Sequence, residues 1–272
     1  MRFGAKVPTK SFRIVTTSWD DGDLYDLRVA ELLHTRKLAG TFYIPIAGHH
    51  SSSPMAHRDV RILWSQGFEI GAHGLSHLIL SDCNQKEVTQ EVVNCKMRLE
   101  ELLGDRVRMF AYPRGRFSTM AIRSVKQAGY TGARTTQMLV QGFSFDPYRM
   151  PTTVHVYPHS RSEYVRNAAR ALDFGCVWRC LTRFRQIENW VELGKLLFDS
   201  VLRDGGIWHL YGHSWEIEEH NLWSGLEEIL DYVCKREDVL YLTNGHTLDC
   251  VLAQNVPVKT GPNHKRLRRS ET

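Results

Sequence analysis

The stretch Phe12-Arg13-Ile14-Val15-Thr16-Thr17-Ser18-Trp19-Asp20-Asp21-Gly22 reads as a β-branched strand running straight into two adjacent carboxylates and a glycine. Downstream, Asp26 to Leu38 sets Leu27, Ala30, Leu33 and Leu38 roughly on one helical face, and Gly40 to Ile46 returns to a strand-like run. The alternation continues. Phe68 to Ala72, Val107 to Tyr112, Tyr130 to Arg134, Gly206 to Tyr211 and Val239 to Leu242 are strand-like, and Lys86 to Leu103 is helical through Val88, Val92, Met97 and Leu102. Strands alternating with helices imply parallel pairing through crossover connections, which narrows the fold to a barrel or an open doubly wound sheet. Between Ser160 and Asp204 the pattern is almost wholly helical, so an excursion of two or three helices is expected on the side of the sheet.

Outside these elements, composition mainly excludes. The chain has 272 residues, 42% of them hydrophobic and 24% charged, which rules out wholesale disorder and a collagen-like fibre. The net charge of +5 is concentrated near the C-terminus, where Lys259, Lys265, Arg266, Arg268 and Arg269 face only Glu271. The body is therefore near neutral, and no nucleic-acid partner is expected. One domain over residues 1–258 and a disordered basic tail over 259–272 is the economical division. Met1 to Lys10 is basic but leads into no apolar run of signal-peptide length, and no stretch approaches the ~18 apolar residues of a spanning helix. A soluble, cytoplasmic protein is expected. Its six cysteines (Cys83, Cys95, Cys176, Cys180, Cys234, Cys250) form no Cys-x-x-Cys pair and read as free thiols.

Four segments could carry chemistry, each at the expected C-terminal end of a strand, where barrels and open sheets build their sites. Asp20-Asp21-Gly22 alone is an ordinary turn sequence. His73 and His77 share the i, i+4 spacing of a two-imidazole grip on one face of a helical turn. With 13 histidines in the chain, roughly 0.6 such pairs arise by chance. Two others do occur. His155 and His159 are separated by Pro158, which disfavours a helical turn, and His209 and His213 lie in a strand-like run, where four residues span ~13 Å. The third segment, Phe110-Ala111-Tyr112-Pro113-Arg114-Gly115, ends a strand in a Pro-x-Gly turn that could aim a backbone N–H at a developing oxyanion. The fourth, Trp208 to Glu216, carries His213 on a strand running into a loop.

In this order, a carboxylate pair, a two-histidine chelate, a tight turn and a final histidine, the chain resembles the polysaccharide deacetylase family, carbohydrate esterase family 4. Ser18-Trp19-Asp20-Asp21-Gly22 is similar to that family's Thr-Phe/Trp-Asp-Asp-Gly, and His73 through His77 to its His-Ser/Thr-x-x-His. The resemblance implies a distorted (β/α) barrel of seven or eight parallel strands. It also implies a divalent metal, most often Zn2+, held by Asp21, His73 and His77, with Asp20 as general base, the Arg114 N–H as oxyanion donor and His213 as general acid. Three departures stand out. The family's Arg-Pro-Pro-Tyr-Gly is here Ala111-Tyr112-Pro113-Arg114-Gly115, so the arginine that orients the base must come from elsewhere, with Arg114, Arg116, Arg134 and Arg149 as candidates. Gly74 stands where a Ser or Thr is usual, and no aspartate partner for His213 can be picked out.

The implied activity is removal of an N-acetyl or other N-acyl group from an amino sugar, with Tyr112 and Trp215 stacking on the sugar. Arginines on the Arg114–Arg116 turn leave room for a nucleotide- or lipid-linked sugar as well as a polymer. Two rivals remain: a hydrolase of small amides or cyclic imides on the same barrel, and a sugar-binding protein without turnover. Retention of both Asp20 and His213 speaks against the second, because binding alone needs neither base nor acid.

Overall fold

The computed structural model describes residues 12–47, 53–170 and 189–254. The tail from 259, residues 1–10, Cys176, Cys180 and the middle of the helical excursion lie outside them.

Strand β1 (Arg13–Asp20) is buried along nearly its whole length, as a central parallel strand covered on both faces must be. It leads through α1 (Asp26–Thr35) to β2 (Thr41–Ile44), α2 (His57–Ser65), β3 (Glu69–Ala72), α3 (Gln85–Leu103), β4 (Met109–Ala111), α4 (Thr119–Gln127) and β5 (Gly132–Arg134). Then follow β6 (Val154–His155), α5 (Arg161–Arg170), α6 (Trp190–Asp204), β7 (Gly206–His213), α7 (Ser214–Glu219), α8 (Trp223–Val233), β8 (Leu240–Tyr241) and α9 (Asn244–Gln254). The helices carry local start signals. Asn84 caps α3 and forms a capping box with Glu87, Ser118 caps α4, and Asn189 caps α6.

All strand pairs are parallel, in the order β5-β4-β3-β2-β1-β7-β6, with β8 pairing the start of β1. The stretch before β6 reaches back to β5: Met150 bridges Arg134, and its N–H donates to Ala133 O at 2.8 Å. The sheet thus curls into the distorted barrel that the resemblance implied. Strand β6 was not legible in the sequence, because two residues carry no periodicity.

Alternation along β1 sorts two environments. Val15 and Trp19 join the main apolar cluster with Val29, Leu33 and Leu226 from the helices. Thr16, Ser18 and Asp20 lie on the other face, in register with His209, Tyr211 and His213 of β7. Here the interior is polar. Ser18 Oγ and His209 Nε2 are 2.8 Å apart, His209 Nδ1 donates to Pro151 O at 3.1 Å, and Asn244 Nδ2 donates to Thr16 Oγ1 at 2.9 Å. Burial pushes His209 down to about 3, so it is a neutral member of this network. The network forms a satisfied floor, and Asp20 stands at its top.

Candidate active site

The strand ends supply the site. Asp20 is the last residue of β1, and its register partners are Tyr43 on β2 and His213 on β7. The following residue, Asp21, adopts a left-handed φ of 77°, which Asp tolerates better than most residues and which turns its carboxylate toward β3.

Asp21 Oδ1 lies 3.4 Å from His73 Nε2 and 3.2 Å from His77 Nε2. Its other oxygen accepts the indole N–H of Trp215 at 2.9 Å. His73 Nδ1 sits 2.8 Å from the carbonyl of Ala111, and a carbonyl can only accept, so Nδ1 carries the hydrogen and the Nε2 lone pair faces Asp21. The two rings pack with centroids 4.8 Å apart. They meet through a loop, not through the helical turn that the spacing suggested, because Gly74 and His77 are both left-handed there (φ 84° and 59°).

These three residues offer ligand atoms within 4.8 Å of one another. Asp21 Oδ1 is buried and accepts no hydrogen bond, which is costly for a carboxylate oxygen and is relieved by a cation. One carboxylate and two imidazoles suit zinc and neighbouring divalent ions. The residues therefore fit the implied metal.

Asp20 is paired with Arg134, whose Nη2 donates to both carboxylate oxygens. Arg134 is fully buried, with its guanidinium 5.1 Å from the ring centroids of both Tyr43 and Tyr211. Burial works against the charged form of Asp20, but Arg134, His73 and His213 outweigh it and hold the carboxyl below its ordinary range. Of the four arginines that the sequence offered as partners for Asp20, Arg134 is the one that meets it. Of the other candidates, Arg114 is an exposed residue lining the pocket, Arg116 faces Asp82 at 3.9 Å, and Arg149 faces Asp146 at 4.0 Å.

His213 presents Nε2 toward Asp20 and Asp21, 4.0 Å from each. Its Nδ1 donates to Glu216 Oε2 at 2.6 Å. Burial opposes the imidazolium, yet the bond to Glu216 and the charges of Asp21, Glu216 and Asp20 push its pKa up to about 9. Glu216 is thus the partner that the sequence reading did not find. His213 is the N-cap of α7 and Glu216 lies three residues on, the spacing of a capping box, which was the available signal. His155 Nε2 reaches the same Glu216 oxygen at 3.2 Å, and His155 Nδ1 meets His159 Nε2 at 2.8 Å, so this second i, i+4 pair makes direct contact without a helical turn. Burial pushes His155 down to about 4.

The pocket is lined by Asp20, Asp21, His77, Arg114, Thr136, His213, Trp215 and Glu216. Arg114 itself is left-handed (φ 55°) within the short turn Pro113–Gly115, which closes through Gly115 N–H to Tyr112 O at 2.7 Å. The expected role of Tyr112 as a sugar-facing residue does not match its place. It is 1% exposed, donates its hydroxyl to Tyr148 O at 3.1 Å and packs on Phe110 and Phe117. An aromatic at the end of a strand whose side chain points into the helix layer is core. Trp215, by contrast, does line the pocket.

Comparison with known proteins follows the same division. The family described as polysaccharide deacetylase matches residues 7–133, which include Asp20, Asp21, His73, His77 and Arg114. Arg134, His213, Trp215 and Glu216 lie beyond that segment. Peptidoglycan-N-acetylglucosamine deacetylase of Bacillus cereus is 26% identical over 120 residues, 43% of this chain and 54% of the relative, so the match spans about half the relative's length. A probable polysaccharide deacetylase from Pseudomonas aeruginosa PAO1 shares the fold with a TM-score of 0.62 at 13% identity, covering 90% of this chain and 93% of that one. A family 4 acetyl xylan esterase from Clostridium thermocellum, solved with a cobalt ion, aligns with a TM-score of 0.56 at 15% identity over 87% and 91% of the two chains.

Proposed function

From the place of residues 7–133 in the polysaccharide deacetylase family, we propose that this protein is a metal-dependent hydrolase that removes the N-acetyl group from an amino sugar in a glycan. The observation that carries the reading is the convergence of three pieces on one pocket: the Asp21, His73 and His77 ligand set, the Asp20–Arg134 pair and the His213–Glu216 pair. A divalent cation held by Asp21, His73 and His77, zinc by the chemistry of the donors, would polarise the amide carbonyl and bring the pKa of water toward ~7. The cobalt bound by the acetyl xylan esterase supports a cation of this kind.

The chain's own residues then divide the proton transfers. Asp20, kept ionised by Arg134, takes a proton from the attacking water. The Arg114 N–H stabilises the oxyanion that develops on the carbonyl oxygen. An amine anion is a poor leaving group, so His213 delivers a proton to the nitrogen as the C–N bond breaks. Its Nε2 faces the pocket and its Nδ1 is tied to Glu216, which keeps the imidazolium available at neutral pH. The products are acetate and a free amino sugar. Trp215 offers its ring to a pyranose while its N–H holds Asp21. A cytoplasmic location is part of this reading, and cell fractionation checks it.

The test is acetate release from N-acetylglucosamine oligomers, followed by mass spectrometry with zinc- or cobalt-loaded protein. Turnover that disappears in Asp20→Asn while oligomer binding persists is the expected result. Binding without acetate release by the wild type would favour the sugar-binding rival, and ring opening of a cyclic imide without acetate release would favour the small-amide rival.

A further inference from the structure

We infer that Glu91 is a positioning residue for the metal ligands, a clasp that holds the His73–His77 loop in its ligating shape. This rests on the reading of Asp21, His73 and His77 as a metal site. Glu91 lies in the middle of α3, fifteen positions beyond Ser76, and is only 4% exposed. Its carboxylate spends its acceptors on the loop. Ser76 N–H donates to it at 2.9 Å (Oε2) and 3.2 Å (Oε1), Ser76 Oγ donates at 2.5 Å, and Leu78 N–H approaches at 3.5 Å. Ser76 and Leu78 are the two neighbours of His77, so the carboxylate grips the backbone on either side of one ligand.

That grip has work to do. His77 sits at φ 59°, a left-handed conformation uncommon for non-glycine residues although His enters it more readily than most, and surrounding bonds hold it there. A carboxylate receiving N–H and O–H donors makes stronger bonds than a neutral acceptor. Gly74 belongs to the same device. It is left-handed (φ 84°), and a Cβ there would stand 2.9 Å from Glu91 Oε2, so the side chain missing at position 74 leaves the space into which the carboxylate reaches. The glycine at this position and the glutamate on α3 therefore form one arrangement, which sets where His77 Nε2 points.

The experiment measures zinc affinity by competition with a chromophoric chelator, and the visible spectrum of the cobalt-loaded protein, for wild type, Glu91→Gln and Glu91→Ala, with circular dichroism as the check on folding. Loss of the clasp should weaken zinc binding by about 10–100-fold in Glu91→Ala and alter the cobalt bands, with a smaller loss in the isosteric Glu91→Gln, which keeps one acceptor oxygen. If Glu91→Ala does not fold, Glu91→Gln carries the test alone. A folded variant that binds zinc within twofold of wild type, with unchanged cobalt bands, overturns the inference and leaves the proposed function standing. A wild type that takes up neither ion overturns the metal-site reading, and the inference with it.

Discussion

Ala111 and Arg134 are register partners across the β4–β5 ladder, so the guanidinium that meets Asp20 enters the barrel one strand away from the turn that carries Arg114. The resemblance to the family's Arg-Pro-Pro-Tyr-Gly sets Ala111 opposite that motif's arginine, and in parallel strands register partners point to the same face. Arg134 thus reaches Asp20 from the same height on the neighbouring strand. Ala111 packs instead with Tyr43, Met109, Met150 and Leu248, and the Tyr43 ring lies under the Arg134 guanidinium.

Replacing Arg134 by Ala strands a buried carboxylate without its partner. The expected cost is about 3–5 kcal/mol of stability, together with a fall in kcat on the order of 100-fold as Asp20 loses its orientation. Urea unfolding and steady-state kinetics check both. A variant with near-wild-type kcat would remove Arg134 from this role, whereas recovery of activity in Ala111→Arg/Arg134→Ala would show that either strand can supply the cation.

In metal-free protein, an NMR titration should find His213 protonating near pH 9, and Glu216→Gln should draw that midpoint back toward the ~6.5 of an unperturbed imidazole. Folding raises this pKa, so the linked stabilisation is fully present below pH ~6.5 and fades as the pH climbs through the folded value. Glu216→Gln should flatten that slope. An unmoved midpoint would mean that Glu216 does not set the charge of His213.

Zinc should stabilise the fold. At a free concentration 100 times its Kd the gain is ~2.7 kcal/mol, read as a shift in the urea midpoint, and it should be absent in His73→Ala. Chelator should abolish acetate release, and added zinc should restore it. Activity that survives exhaustive chelation would contradict metal dependence.

The two parts proposed for Trp215, sugar stacking and the bond to Asp21, can be separated by substitution. Trp215→Phe keeps an aromatic face but loses the N–H to Asp21, so zinc affinity should fall about 10-fold with little change in KM for oligomers. Trp215→Ala should raise KM as well. Equal zinc affinity in wild type and Trp215→Phe would show that the indole hydrogen bond does not tune the ligand.

The alternation of strands and helices was legible because hydrophobic period is a local property, and β1, α1, β2, β3, α3, β4 and β5 all lie where the pattern put them, to within a few residues. The residues that meet in the pocket could be read for a related reason. Asp20 and Asp21 adjoin in the chain, His73 and His77 lie four apart, and each group ends a strand, so the topology that makes the strands parallel also delivers them to one rim. Tyr112 misled because a residue next to a motif can still point to the other side of its strand, and only burial tells which.

What the sequence by itself determined is a set of parallel strands, in a barrel or an open sheet, with a carboxylate pair, two histidines and a final histidine at their C-terminal ends; the barrel came with the family resemblance. Only the tertiary structure decided which groups set their charge and aim: Arg134, 114 positions from Asp20, Glu216 across the start of α7, and Glu91 reaching up from α3. The reason is physical. Orientation and pKa depend on distances of three or four ångströms and on exclusion of water, and neither exists until residues far apart in the chain are packed together.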